Sequence, residues 1–185
     1  MFALQRCRRT LPYGLNDIEF YLYLLVFVLS YLLLKEVICC LPDGCSYFYP
    51  QLVAVIVGTI FFGVEFGLIN AVVPPLLFYF FIGADTSFLT VELTREVLVF
   101  LLVVAVVVKG SGKFVPNFWN LLSLIAIAEV GAMLALLVAG GEFLILLKQT
   151  IFLLPGMAFG SLLSLALLRV LCMIESRNVD LDYKK

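Results

Sequence analysis

From Tyr47 to Ile82 the chain runs 36 residues with one charged side chain, Glu65. As a single helix, at about 1.5 Å per residue, this stretch would be about 54 Å long, against a bilayer hydrocarbon core of about 30 Å. It is too long for one crossing and too apolar for a soluble surface. It therefore reads as two spans joined by a tight turn. Gly63-Val-Glu-Phe-Gly67, near its middle, supplies the glycines and the charge that suit such a turn. The rest of the chain is similar in kind: 64% is hydrophobic, mean hydropathy is +1.15 and 14% is charged. A soluble domain carries about 25% charged residues. The predicted class is an all-α, polytopic integral membrane protein.

The same composition excludes several functions. The chain has no histidine, which removes His-dependent catalysis and His-ligated metals. A net charge of −1 argues against a nucleic-acid-binding surface. No nucleophile–base pair, Gly-rich phosphate loop or paired-cysteine metal motif is present, so no catalytic residue, metal site or cofactor is predicted.

Six spans of about 20 mainly apolar residues can be placed. The first is Phe20–Leu34, continuing to Cys40 and preceded by Asp17 and Glu19. No small-residue cleavage site follows it, so it reads as a retained span rather than a removed signal. Spans 2 and 3 divide Tyr47–Ile82, and Pro74-Pro75 should kink span 3 because two backbone donors are missing. Span 4 is expected over Glu92–Val108 and span 5 over Phe118–Ala139. Lys148 and Pro155 should divide Phe143–Ile174 into an interfacial segment near 143–153 and span 6 over Leu154–Met173. The expected organisation is a basic N-terminus (1–19), a six-helix membrane domain (20–174) and a polar, frayed tail (175–185).

Six spans put both termini on one side. Arg6, Arg8, Arg9, Lys109, Lys113, Arg169, Arg177, Lys184 and Lys185 then share that side, nine of the 12 basic residues. Lys35, Arg95 and Lys148 fall opposite, each with an acid nearby. By the positive-inside rule both termini are cytoplasmic. Cys39, Cys40 and Cys45 lie in the first external loop, and Cys7 and Cys172 on the cytoplasmic side. A Cys40–Cys45 or Cys39–Cys45 bridge suits an oxidising compartment; free thiols on an apolar helix end are the alternative.

Glu129 is the foremost functional candidate. It lies midway along span 5, where a charge costs at least about 2.5–3.5 kcal/mol on insertion scales. It must face the bundle, either as a proton- or substrate-binding carboxylate or as a buried carboxyl bonded to another helix. No second ionisable residue is placed at that depth: Glu36, Glu92 and Glu96 are read as solvated acids at membrane edges. Ala126, Ala128, Gly131 and Ala132 around Glu129 permit close helix approach. At the helix 2–3 turn, Gly63 and Gly67 flank Glu65, expected as a solvated turn residue, and Asn70 is expected to bond another helix. Gly156, Gly160 and Ser164 form a small-residue stripe at i, i+4, i+8, a helix-packing surface.

Several short elements resemble the rod shape-determining protein MreD family. Tyr49-Pro-Gln-Leu52 is similar to its Pro-Asp/Asn-Leu element entering span 2. Gly63-Val-Glu-Phe-Gly-Leu68 is similar to its Gly-Phe-x-x-Gly-Leu turn, and Leu154-Pro155 to the start of its last span. Asn70-Ala-Val stands where that family carries an Asp. The resemblance covers residues 20–173 in architecture. It implies a non-enzymatic scaffold of a cell-envelope, cell-shape complex in the bacterial cytoplasmic (inner) membrane, with the lipid bilayer and other membrane proteins as partners. Residues 50–110 also resemble the membrane-sensor domain of KdpD-type histidine kinases. Size and span count are similar to the substrate-binding subunit of an energy-coupling-factor vitamin transporter. For that role Asp43, Tyr47, Tyr49, Asp85 and Glu92 would be the ligand groups.

Overall fold

The computed structural model describes residues 18–39, 50–83, 86–108, 116–138 and 143–182. The described residues form six helices and no strand. These are α1 (Ile18–Cys39), α2 (Pro50–Val57), α3 (Val64–Ile82), α4 (Thr86–Val103), α5 (Phe118–Val138) and α6 (Phe143–Asp182). Two π-helical turns extend them: Gly58–Phe62 after α2 and Val104–Val108 after α4. Among the described residues, three segments are long and apolar enough to cross a membrane: Val64–Phe81, Phe118–Val138 and Leu154–Ile174.

The distribution of side chains is that of a protein turned outward. Phe81 is 81% and Val138 90% exposed, while Glu96 and Ser164 are completely buried. In water this would leave a large apolar surface bare. In hydrocarbon it is the stable arrangement, because lipid covers the apolar faces and the polar groups find partners inside.

The turn between α2 and α3 falls where the glycines predict it. Gly63 has φ +111°, a region that L side chains rarely adopt. Its N–H donates to Gly58 O at 3.1 Å, closing the π turn, and its carbonyl accepts from Gly67 N–H at 3.1 Å, opening α3. Glu65 sits exposed in the first turn of α3. The two helices approach closely because Gly67 has no side chain: a Cβ there would lie 2.0 Å from Thr59 Oγ1 and 3.0 Å from Thr59 Cα. At the other end, Gly83 (φ +72°) caps α3 by donating to Tyr79 O.

Two packed clusters fill the interior. One joins Leu52, Val55 and Ile56 of α2 to Val99, Phe100 and Val103 of α4 and to Leu121, Leu124, Ile125 and Ala128 of α5. The other is aromatic and centres on Phe66, which meets Phe20 and Phe27 edge-on at 5.4 Å and Phe62 at 4.7 Å. α6 lies against α2 and α5. Gly156, Gly160 and Ser164 are all buried on its inner face, with Ser161 and Leu168.

Three expectations are corrected. α4 begins at Thr86, six residues before Glu92; charged residues do not end a helix when one face of it turns inward. Residues 143–153 are not divided from the last span by a break, because α6 is one helix of 40 residues through Lys148 and Pro155; its stretch long and apolar enough to cross, Leu154–Ile174, falls where span 6 is expected. A proline withholds one donor, and neighbouring groups can resupply it in a membrane helix. The tail is helical to Asp182 rather than frayed from residue 175.

These distances order the glycines by tolerance. Gly67→Ala should destabilise by about 1–3 kcal/mol through overpacking, read as a lower unfolding midpoint in detergent. A Cβ at Gly160 meets only Ile125 Cδ1 at 3.8 Å and Val53 Cγ2 at 4.0 Å. Gly160→Ala should therefore match wild type, whereas Gly160→Leu should not.

Candidate functional site

The polar interior is built chiefly by α4 and α5. Glu92, Arg95 and Glu96 follow one another at i, i+3 and i+4, which places all three on one helix face. Because α4 starts at Thr86, they lie roughly two to three turns inside it. None exceeds 6% exposure. The reading of Glu92 and Glu96 as solvated edge residues is therefore overturned, and so is the isolation of Glu129.

Arg95 is the centre of the arrangement. Its Nη1 donates to Glu92 Oε1 at 2.6 Å within α4. Its Nε lies 2.6 Å from Glu129 Oε1, across the interface to α5. Glu129 is 1% exposed and sits midway along α5. Glu96 is completely buried one residue beyond Arg95. A guanidinium presents five donors in a planar fork and cannot shed its proton, so it suits bridging two carboxylates on different helices.

The energetics favour keeping the group whole. Burying an ion costs several kcal/mol even after relaxation, and attraction between the partners offsets this only with close geometry. Removing one partner leaves the other charge buried, at a cost of about 3–5 kcal/mol. The helices approach closely beside the ion pair. Gly131 on α5 faces Leu98 on α4, and a Cβ at Gly131 would stand 2.3 Å from Leu98 Cδ1.

The other sequence candidates are not brought into this cluster. Gly63 and Gly67 shape the α2–α3 turn. Asn70 is buried, but its side-chain amide donates to Phe66 O of its own helix at 3.0 Å. The contact between helices is instead made by its backbone carbonyl, which accepts from Gln51 Nε2 of α2. Cys40 and Cys45 lie outside the described residues. Cys172 is buried and disulfide-bonded, a bond the sequence reading did not anticipate. It requires an oxidising compartment to persist, at a position that the count of basic residues assigns to the cytoplasmic side. Among the described residues no group of three or more acids and cysteines is arranged to hold a metal ion.

Sequence reasoning found Glu129 and missed Arg95. The signal was present: Glu92-x-x-Arg95-Glu96 is a single-face pattern, and a face of three charges beside a buried glutamate is a pairing surface. No protein-family model, curated protein or solved structure matches the chain.

A double-mutant cycle tests the bridge. Arg95→Met and Glu129→Leu should each destabilise by about 3–5 kcal/mol. The double variant should lose clearly less than the sum, since it removes the Glu129 carboxylate that Arg95→Met alone would orphan. Strict additivity in unfolding midpoints would mean that the two side chains do not interact.

Proposed function

We propose that this chain is a non-enzymatic integral-membrane scaffold of a cell-envelope complex, MreD-like in role, in the bacterial cytoplasmic membrane. The observation that carries the reading is the burial of the ionic cluster. Its four charged side chains are 0–6% exposed and Arg95 holds carboxylates from two helices. Groups spent on holding α4 to α5 serve assembly, not turnover. The outward apolar faces are then left to lipid and to neighbouring membrane proteins of the complex.

The transport reading has one observation in its favour. Three carboxyl groups accompany one guanidinium, more acid than a simple structural pair needs. A small-molecule binding or transport subunit would use the surplus for a proton or a substrate. An orphan membrane-sensor domain has no comparable feature behind it.

The two readings separate at Glu129. Glu129→Gln retains an acceptor for Arg95, and Glu92 still pairs with it. A scaffold should keep assembly and cell shape near wild type with Gln and be impaired by Leu. A proton-coupled carrier should fail with both, because Gln cannot release a proton. Pull-down from native membranes in mild detergent should recover envelope proteins. Recovery of an ATPase cassette, together with loss of uptake in Glu129→Gln at normal protein level, would replace the scaffold by a transporter.

Orientation follows the basic residues, with six spans and both termini cytoplasmic. Reporter fusions at Gly44, Asp85 and Gly141 should read outside, and at Gly110 and Lys185 inside. An outside signal at Lys185 would reverse the orientation and accommodate the Cys172 disulfide.

A further inference from the structure

We infer that Gln51 is the latch of a proline hinge in α3. In an α-helix the Asn70 carbonyl takes its hydrogen bond from the N–H of residue 74, and in a π turn from that of residue 75. Both are proline here, and both lie inside α3. Asn70 O therefore has neither donor. Ala71 O, by contrast, loses only the α-type donor, because residue 76 is Leu. Asn70 is the one carbonyl of this turn that the helix can serve in neither way.

Gln51 fills that vacancy from the neighbouring helix: its Nε2 donates to Asn70 O. It is 2% exposed. The orientation of its amide is forced, since rotating it by a half-turn would set two acceptors against each other. The same orientation leaves Gln51 Oε1 buried without a hydrogen-bond partner. An apolar side chain of equal length would avoid that orphan, so the donor is what the position supplies.

The latch makes the hinge conditional. While α2 lies against α3, the opened turn is closed and α3 is stiff. A displacement of α2 by one residue withdraws Nε2, and α3 is then free to bend at Pro74-Pro75, where prolines permit sharp kinks. The stiffness of the α2–α3 hairpin thus depends on one side chain.

The test restores the missing donor. In the native background Gln51→Met should lower the unfolding midpoint in detergent by about 2–4 °C, the shift that one net hydrogen bond gives in a chain of this size. In a Pro74→Ala background residue 74 donates to Asn70 O itself, and Gln51→Met should have no such effect. An equal loss in both backgrounds, or none in either, would overturn the latch. A second readout does not need the proline variant to fold. Asn70-Ala71 is the sole Asn-Ala pair in the sequence, so labelling asparagine carbonyl carbons together with alanine nitrogens yields one correlated resonance. Gln51→Met should move that Asn70 carbonyl resonance upfield; an unmoved resonance would mean that Gln51 does not serve it.

Discussion

A guanidinium in an apolar interior is the costliest group in this chain to leave unserved, and the arrangement of α4 and α5 follows from serving it. α5 is strongly apolar apart from Glu129, so burial alone would accept almost any rotation of it about its axis. In lipid the constraint is weaker still, because hydrocarbon solvates an apolar face as well as a neighbouring helix does. Arg95 removes that freedom. It turns the Glu92–Arg95–Glu96 face of α4 toward α5 and the Glu129 face of α5 toward α4. The packing of Val99, Phe100 and Val103 against Leu121, Leu124 and Ile125 is then the consequence of a rotation that charge has set.

A different device fixes the α2–α3 hairpin. No ion pair among the described residues joins these helices. Their separation is set by the absent side chain at Gly67 and the hydroxyl of Thr59, which donates to Val55 O of its own helix at 2.6 Å. Phe66 then fills the space beyond, with aromatic neighbours on α1 and on the π turn. Edge-to-face contacts of this kind contribute about 0.5–1.5 kcal/mol each beyond area burial. They also tie α1 to the hairpin.

How far the sequence discloses this can be judged residue by residue. The turn at Gly63, the bounds of α5 and the end of the fourth helix at Val108 are legible, because glycines and the ends of apolar runs mark them directly. Glu129 is legible as an interior group because a lone acid in an apolar run has few other places to be. The inward face of α4 is not, for a physical reason. A hydropathy reading moves charges to the membrane edge because lipid penalises them, whereas a bundle penalises only charges on the wrong face. Placing the helix start at Glu92 hid the pattern that Thr86 as the start reveals. Gln51 was equally hidden. Pro74 and Pro75 announce two missing donors, but which side chain resupplies one of them is decided by the fold of the hairpin, which brings Gln51 to Asn70, 19 residues on in sequence. The continuity of α6 through Pro155 was lost by treating a proline as a stop, a rule taken from helices in water.

Charge and shape therefore specify different helices, and they fail differently. Where Arg95 sets the rotation, what the interface cannot absorb is a buried charge left without a partner. α6 has the opposite character. Among its described side chains the buried face is Gly156, Met157, Gly160, Ser161, Ser164, Leu168 and the disulfide-bonded Cys172, with no charged side chain among them, and Ser161 bonds within its own helix at 2.8 Å. Among its described side chains nothing ionic holds its rotation; fit and the disulfide at Cys172 hold it, and small residues let it lie against α2 and α5. The bundle thus holds α4 to α5 by charge and seats α6 on α2 and α5 by shape.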